Sequence, residues 1–506
     1  MSSSTKAGEA SAATVGATGI AYETIIGLEV HAQLLTKSKM FCGCSAAYFS
    51  APPNTHVCPV CLGLPGVLPV INRAAVEAAT MTGLALGCTI APVNKFDRKN
   101  YFYPDLPKGY QISQYDLPLA LGGAITFTVG GEEKRAGITR VHMEEDTGKN
   151  MHASDPATGE GYSLIDLNRA GVPLMEIVGE PDLRSPQEAA AYLTAMRQIL
   201  RYIGVSTGNM EEGAFRCDAN VSLRPVGTAA FGAKVEIKNM NSFRAVERAI
   251  AFEVERQRAI LDAGGTIAQE TRGWNEEQGR TLSQRTKEEA NDYRYFPEPD
   301  LPPLTMDESW VAAIGARMAE LPTARRTRFV SQYGMREEDA RTLTESRAVA
   351  DYFEAALGEN ATAERARLTV NWVIGPLFAR VNAETIATTP LTPERLRGLL
   401  DLLEAGKINR TVAQQVFDDL FDSPDEDAAA IVARKGLGLV GDDGAIREAV
   451  IQALAANGQS VADFLRGKAA AKGRLVGATM KLMGGRSDAK IVNRILDEEL
   501  EKQRQG

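Results

Sequence analysis

Gly27-Leu28-Glu29-Val30-His31 and His142-Met143-Glu144-Glu145-Asp146-Thr147-Gly148-Lys149 are two runs in which apolar and polar residues alternate as in β-strands. Successive side chains of a strand point to opposite faces, so Glu29 and His31 share one face and the apolar residues beside them share the other. By the same period, Glu144 and the histidine two positions before it share a face. Carboxylates gathered on one face suit a hard cation such as Mg²⁺, with histidine as a less usual ligand. The two runs therefore predict a sheet with one packed face and one chemically active face.

The size and composition of the chain indicate a multidomain globular protein. Its 506 residues exceed one ordinary core, and 44% hydrophobic and 24% charged residues are usual for soluble proteins. Residues 1–20 are rich in Ser, Ala, Thr and Gly without an apolar core, which predicts a disordered leader rather than a signal peptide. No apolar run reaches membrane-spanning length, so we expect no membrane association and a cytoplasmic location. The net charge of −9 argues against a general nucleic-acid binder, so any RNA contact requires local basic patches or partner proteins.

The strand pattern predicts an α+β domain over residues 21–297. In the runs 216–223 and 235–238, one face is apolar and the opposite face is polar. An antiparallel sheet with one packed and one polar face accounts for this alternation. The polar positions are Arg216, Asp218, Asn220, Ser222, Glu236 and Lys238. Helix-period segments at 185–203 and 241–263 interrupt the strands, the first opened by an N-capping serine and a proline.

A proline-rich segment at 296–303 marks the predicted end of this domain. Beyond it the apolar residues follow a helical period, which predicts an all-α domain over 298–405. A third, helical tail domain is expected over 406–506. Its last part carries basic residues around a Gly484-Gly485 turn.

Four cysteines lie within twenty residues, at Cys42, Cys44, Cys58 and Cys61. Tetrahedral Zn²⁺ takes four thiolates, and Cys58-Pro59-Val60-Cys61 has the usual knuckle spacing, although the Cys-x-Cys half is less standard. We expect a structural zinc over residues 42–61, with four reduced thiols as the alternative. A closed four-cysteine site leaves no position for a reactive water, so it is assigned no catalysis.

The predicted magnesium site consists of Glu29, His31, Glu144 and Glu145, completed by Glu176 or Asp166. Glu176 lies within an apolar run, where an unpaired carboxylate would be costly. Glu145 points to the other face if its strand is regular and joins the site only if the chain bends. The alternative interpretation is an ordinary solvated sheet face.

Four basic residues, Lys149, Arg169, Arg216 and Lys238, are candidates to hold nucleotide phosphates, or else to pair with the carboxylates. Asp218 and Asn220 have the pattern of a metal- or substrate-positioning strand. Because the chain has no Gly-x-x-x-x-Gly-Lys-Ser/Thr segment, any ATP site is not a P-loop. Basic and aromatic residues are mixed at 97–104 and 292–295, which is typical both of nucleic-acid contact and of a core with a turn.

With Tyr101-Phe102-Tyr103-Pro104-Asp105-Leu106-Pro107-Lys108-Gly109-Tyr110-Gln111-Ile112-Ser113-Gln114, the two opening runs closely resemble the B-subunit family of the aspartyl/glutamyl-tRNA amidotransferases. The resemblance extends from about Tyr22 to the C-terminus. It implies a cradle-like catalytic domain, a carbon–nitrogen ligase that uses glutamine as amido donor, and ATP, Mg²⁺ and structural Zn²⁺ as cofactors. It also implies a heterotrimer in which the A-subunit is the glutaminase and the small C-subunit wraps the pair. The sequence shows no Gly-Gly-Ser-Ser-Gly-type amidase segment, which agrees with a separate glutaminase.

The mechanism that the resemblance implies begins with misacylated Glu-tRNA(Gln) or Asp-tRNA(Asn). ATP phosphorylates the side-chain carboxylate, and ammonia from the glutaminase displaces phosphate to give Gln-tRNA or Asn-tRNA. The implied catalytic residues are Glu29, His31, Glu144, Glu176 and Lys238, and the implied tRNA contacts of the tail are Lys481, Gly484, Gly485 and Arg486.

Two other functions compete with this one. The chain could be a noncatalytic tRNA-binding scaffold with a structural zinc, but a carboxylate-rich face repels RNA phosphate unless a metal intervenes. It could also be a stand-alone ATP-dependent ligase that uses free ammonia.

Overall fold

The computed structural model describes residues 14–15, 19–286, 290–359, 361–439 and 443–505. The chain divides into two compact units, 1–322 and 323–506. Most of the leader predicted over residues 1–20 lies outside the described residues; Thr14–Val15 forms a short antiparallel pair with Ala21 and Tyr22. Among the described helices, none combines the length and the apolar composition that crossing a bilayer requires.

The first unit consists mainly of strands. These are β1 (Thr14–Val15), β2 (Ala21–Gln33), β3 (Thr89–Ile90), β4 (Val93–Asn94), β5 (Asp97–Asn100), β6 (Tyr110–Ser113), β7 (Ala120–Leu121), β8 (Ala124–Val129), β9 (Glu132–Glu145), β10 (Lys149–Ser154), β11 (Gly161–Asp166), β12 (Pro173–Gly179), β13 (Phe215–Pro225), β14 (Val235–Lys238), β15 (Glu270–Asn275), β16 (Arg280–Thr286), β17 (Phe296–Pro297) and β18 (Leu304–Thr305). Its helices are α1 (Arg73–Ala85), α2 (Pro186–Tyr202), α3 (Phe243–Asp262) and α4 (Glu308–Ala316).

One large sheet organises this unit, in the order β16-β15-β14-β13-β2-β12-β9-β6-β5-β17. Along this path only β14 and β15 run parallel, and every other neighbouring pair is antiparallel. The hairpin β10–β11 forms a separate two-stranded sheet. The predicted α+β class with a mostly antiparallel sheet is confirmed.

The apolar face of the sheet forms the core of the first unit. Ile26, Leu28 and Val30 of β2 are buried in one cluster with residues of α1, α2 and α3. The predicted helix at 185–203 is α2, whose N-cap Ser185 accepts a hydrogen bond from the backbone of Glu188. The opposite face of the sheet is left free for polar side chains.

Residues 298–322, which the sequence pattern assigned to the helical domain, pack within the first unit. Glu298 binds Arg98 of β5 through two hydrogen bonds of 2.7 and 2.8 Å. β18 pairs with β4, and α4 packs on α1. The proline-rich segment is therefore followed by a return of the chain onto the sheet unit.

The second unit is helical. Its helices are α5 (Pro322–Tyr333), α6 (Glu337–Thr344), α7 (Arg347–Leu357), α8 (Ala363–Trp372), α9 (Pro393–Glu404), α10 (Arg410–Asp422), α11 (Ala428–Lys435), α12 (Asp443–Ala456), α13 (Gly458–Leu465), α14 (Ala470–Leu482) and α15 (Ala489–Gln505). Two apolar cores organise them, one from Phe329 to Ile431 and one from Ile446 to Leu500. Helix α10 thus shares a core with α9, although the sequence pattern divided them at residue 405.

Replacing Ile26 with Ala is expected to lower the free energy of unfolding by about 3 kcal/mol, because Ile26 is fully buried in the central strand. The matched control is Leu35→Ala, just beyond the same strand, where the side chain is 56% exposed and the expected change is within about 0.5 kcal/mol. Chemical denaturation of both variants measures the difference. Equal losses would contradict the assignment of Ile26 to the core.

Candidate functional site

The site lies on the polar face of the large sheet, around the central strand β2. Antiparallel pairing places Glu176 of β12 opposite His31 of β2 on one side. On the other side, β13 places Arg216 opposite His31 and Asp218 opposite Glu29. Residues that are far apart in sequence thus meet through strand register alone.

Three predicted residues form a compact group. His31 Nε2 lies 3.4 Å from Glu176 Oε2 and 3.7 Å from Glu144 Oε1. Each of the three offers a ligand atom, and these atoms all lie within 4.8 Å of one another. Two carboxylates and one imidazole at this spacing are able to share one cation.

Burial and neighbouring charges shift the pKa values of this group in opposite directions, and the charges prevail. Burial disfavours protonation of His31, but the carboxylates of Glu176, Glu144 and Asp218 outweigh it and raise the pKa of His31 to about 9. Burial likewise disfavours ionisation of Glu176, but the imidazoles of His142 and His31 outweigh it and hold the pKa of Glu176 well below its usual range. The carboxylates around His31 therefore favour its protonated form.

His142 is a member of this neighbourhood that was not among the predicted site residues. It pairs with Glu176 across β9 and β12, with 3.2 Å between its Nε2 and Glu176 Oε2. The two-residue period of the strand places His142 on the same face as Glu144, and this was the sequence feature that could have identified His142 as a site residue. Its contact with Glu176 depends on the pairing of β9 with β12, which the local pattern does not specify.

Glu29 lies beside the group rather than within it. Its Oε1 accepts a hydrogen bond of 2.8 Å from the amide of Asn220. Next to it, Lys238 Nζ donates to Asp218 at 2.5 Å and lies 3.5 Å from Glu236. Burial disfavours the lysine charge, but these carboxylates outweigh it and raise the pKa of Lys238. Glu29, Asn220, Asp218 and Lys238 thus form a second polar patch on the same face.

Glu145 lies apart from the group, because β9 stays regular and turns it to the opposite face. Its carboxylate binds Lys108 Nζ and accepts a hydrogen bond of 3.0 Å from the backbone of Ile112. It lines a cavity with Cys42 and Cys61 instead. The structure does not bring Glu145 together with His31.

The predicted phosphate-binding cations have different surroundings. Arg216 makes two hydrogen bonds of 3.1 Å to the buried carboxylate of Asp146. Arg169 donates to the backbone oxygens of Thr147 and Gly148 at 2.9 and 2.6 Å, so it supports the loop after β9. Lys149 is exposed at the start of β10.

An aromatic residue of the basic-aromatic tract at 292–295 borders the site. Tyr295 stacks on Tyr115 with ring centroids 4.2 Å apart. Burial, together with the charges of Glu144 and Glu176, raises the pKa of Tyr295. Tyr295, the last residue of this tract, therefore lies near the carboxylates of Glu144 and Glu176.

The four predicted zinc ligands come together. The thiols of Cys42, Cys44, Cys58 and Cys61 all lie within 4.8 Å of one another. Lys39 is buried beside them, with its Nζ 3.6 Å from the sulfur of Cys61 and donating at 2.7 Å to the carbonyl of His56. Four thiols at this separation, with a cation to offset thiolate charge, suit a closed tetrahedral zinc site.

Comparison with known proteins matches this architecture to one family. Residues 24–312 match the family model described as the GatB/GatE catalytic domain, and residues 351–500 match the GatB domain. The chain is 55% identical over 483 residues to the B-subunit of the aspartyl/glutamyl-tRNA(Asn/Gln) amidotransferase of Thermomicrobium roseum, covering 95% of this chain and 99% of that one. The proteins of the same name from Dehalococcoides mccartyi and Moorella thermoacetica are 52% and 53% identical, again over 95% of this chain and over 99% and 100% of theirs. The chain belongs to the amidotransferase B-subunit family. It is therefore one component of a ligase-type enzyme complex that acts in translation.

The four tail residues that were predicted to contact tRNA have two kinds of surroundings. Arg486 donates to the carbonyls of Gly436 and Met483 at 2.7 and 3.3 Å, and Gly485 accepts a hydrogen bond from Asn409. Gly484 and Gly485 both have positive φ, at 60° and 74°, so the turn needs glycine. Lys481 is exposed. Three of the four residues therefore shape the turn, and Lys481 is the one whose charge faces solvent.

The cysteine group is expected to hold one zinc ion per chain. Cys58→Ser combined with Cys61→Ser should abolish zinc binding and lower the melting temperature, because the loop loses its cross-link. Elemental analysis after dialysis against metal-free buffer, together with thermal unfolding, measures both effects. Cys88→Ala, at a buried cysteine outside the group, serves as control and should retain stoichiometric zinc. Wild-type protein without stoichiometric zinc would contradict the assignment.

Proposed function

We propose that this chain activates the side-chain carboxylate of misacylated tRNA, either Glu-tRNA(Gln) or Asp-tRNA(Asn), by ATP- and Mg²⁺-dependent phosphorylation. The observation that carries the proposal is a charge imbalance on the polar face. Among the described residues, no lysine or arginine lies within ion-pair distance of Glu29, Glu144 or Glu176, whereas Asp146 and Asp218 each have a basic partner. Unbalanced, largely buried carboxylates favour a bound cation.

His31, Glu144 and Glu176 are the proposed magnesium ligands, with Glu29 at the edge. Oxygen donors from two carboxylates suit Mg²⁺, which uses few protein ligands and keeps water or phosphate in its other positions. When bound, the ion would neutralise negative charge on the phosphates of ATP. Glu145, which the sequence pattern put forward as a further ligand, does not lie near enough to support that role.

The proposed reaction has two steps that balance. An oxygen of the substrate carboxylate attacks the γ-phosphorus of ATP, the bond to the β-phosphate oxygen breaks, and ADP leaves. The lone pair of ammonia then attacks the carbonyl carbon of the acyl phosphate, inorganic phosphate leaves, and the nitrogen loses a proton to give the amide. Phosphate is a far better leaving group than an oxide, which is why activation precedes amidation.

The basic residues of the polar face are proposed to hold ATP and the developing phosphoryl charge. Lys238 and Arg216 keep about a third of their side chains exposed, at 31% and 34%, even though each has an acidic partner. Lys149 is exposed at the start of β10, where it could reach a phosphate. Arg169 supports the loop of Thr147 and Gly148 that precedes it. Asp218 and Asn220 orient Lys238 and Glu29, respectively. These contacts supply the positioning and charge stabilisation that dominate phosphoryl transfer.

Ammonia is proposed to come from a partner glutaminase, the A-subunit, within a heterotrimer that includes the C-subunit. The relatives are named as B-subunits, which indicates an enzyme assembled from several different chains. The absence of an amidase nucleophile segment from this sequence supports a separate source of ammonia.

Glu144→Gln is expected to reduce amidation by two or more orders of magnitude, because it removes one charge from the proposed metal group. The assay uses the assembled heterotrimer, misacylated tRNA, ATP and ammonium chloride, with glutaminase activity followed as a control for assembly. Glu133→Gln, at an exposed position of the same strand, is the matched control and should leave both activities unchanged. Unchanged amidation by Glu144→Gln would favour the noncatalytic scaffold.

The tail is proposed to bind tRNA through cations that have no acidic partner. Arg466 and Lys468 both pair with Asp463, and Lys472 pairs with Asp497. In the part of the tail that the structure describes, Arg474, Lys481 and Lys490 are exposed without such a pair. Unpaired cations contribute most to counterion release on binding RNA.

Changing Arg474, Lys481 and Lys490 together to Ala should therefore raise the KM for tRNA about tenfold or more at low salt and leave kcat nearly unchanged. Changing Arg466 and Lys468 to Ala removes two cations that are already paired and should have a smaller effect. Steady-state kinetics at two salt concentrations distinguish the sets. Equal effects of the two sets would contradict this role of the tail.

A further inference from the structure

The imidazole of His142 is held at the metal group without being one of the grouped ligands. It is 3% exposed, and its Nε2 lies 3.2 Å from Glu176 Oε2. The same carboxylate oxygen lies 3.4 Å from His31 Nε2. The carboxylate of Glu176 therefore contacts two imidazoles, which belong to the two neighbouring strands β2 and β9.

The other ring nitrogen of His142 decides which role this residue has. Nδ1 is buried, and among the described residues it has no hydrogen-bond partner. A histidine that ligates a metal almost always donates its second N–H to a carboxylate, a carbonyl or water. The geometry therefore leaves Nε2 as the ring nitrogen of His142 that contacts a partner, and that partner is Glu176.

In this arrangement, the hydrogen bond that His142 is placed to donate runs from its Nε2 to the carboxylate of Glu176. We propose that His142 is a positioning residue that fixes the carboxylate of Glu176 by this hydrogen bond, so that Glu176 and His31 Nε2 face a divalent cation together. This inference rests on the metal site proposed above and adds the residue that orients it.

The arrangement explains why the group needs a second histidine. Glu176 and His31 lie opposite each other on adjacent strands, and both His31 and His142 reach the same carboxylate oxygen of Glu176. When a cation takes the lone pair of His31, that contact is lost. His142 then keeps Glu176 in place, because its contact comes from a different strand, β9, and does not involve His31.

The test measures binding of Mn²⁺ to the full-length, zinc-loaded protein by electron paramagnetic resonance of the free ion, without any activity assay. His142→Phe keeps the ring volume and removes the donor, and should weaken Mn²⁺ binding by about 10–100-fold. His142→Gln and His142→Asn restore an N–H donor, and at least one should recover most of the affinity. His152→Phe, at an exposed histidine of the β10–β11 hairpin, is the matched control and should bind like wild type.

Each other outcome overturns a specific statement. Wild-type affinity in His142→Phe overturns the positioning role while leaving the proposed metal site intact. Equal loss in His142→Phe, Gln and Asn, with unchanged circular dichroism and melting temperature, shows that the imidazole itself is a ligand and also overturns it. If Glu176→Gln leaves the binding of Mn²⁺ unchanged, or if wild-type protein binds no Mn²⁺, the proposed metal site is overturned and this inference with it.

A second readout is the tautomer of the ring, which a purely structural role would not fix. The chain has only four histidines, so a spectrum of protein labelled with ¹⁵N-histidine contains four imidazoles that single substitutions assign. We expect His142 to carry its proton on Nε2. A ring protonated on Nδ1 would contradict the proposed hydrogen bond.

Discussion

The pairing of β2 with β12 and β13 is the constraint on which the rest of the structure depends. Each strand has one apolar face in the core, so a slip of one residue in register would turn every polar side chain inward. Burial of Ile26, Leu28 and Val30 therefore fixes the position of Glu29 and His31. The same hydrogen-bonded strand pairing specifies both the core and the site. The free energy that stabilises the core therefore also stabilises the positions of the site residues.

This coupling gives the site rigidity that loops would not provide. The candidate ligand atoms of His31, Glu144 and Glu176 project from three adjacent strands, β2, β12 and β9, of one sheet. The buried ion pair of Asp146 with Arg216 then ties the end of β9 to β13. A cation bound on such a face meets ligands that are already in place, which lowers the ordering cost of binding.

The sequence was sufficient to predict features that depend on neighbouring residues along the chain. It was insufficient for features that depend on which strands pair in the sheet. Period 2 placed Glu29 with His31 and set Glu144 on a polar face, and the cysteine spacing predicted a cluster that the structure brings together. The same period left Glu145 uncertain, and the regular strand turned it away toward Lys108. The choice between Glu176 and Asp166, and the contact of His142 with Glu176, depend on which strands are neighbours. No local pattern encodes a pairing between segments that lie more than thirty residues apart.

The local distribution of charge bears on how a chain of net charge −9 could bind tRNA, as proposed above. A net charge of −9 would repel tRNA if it were spread evenly, but the acidic residues of the polar face are largely buried. Charges of opposite sign that are already paired contribute little to a field at a distance, so the ion pairs of the tail cancel in this respect. What remains, among the described residues of α14 and α15, is a small number of exposed cations without an acidic partner, namely Arg474, Lys481, Lys490 and Arg504. In the proposed contact, an approaching phosphate would meet the local field of these residues more strongly than the net charge of the whole chain.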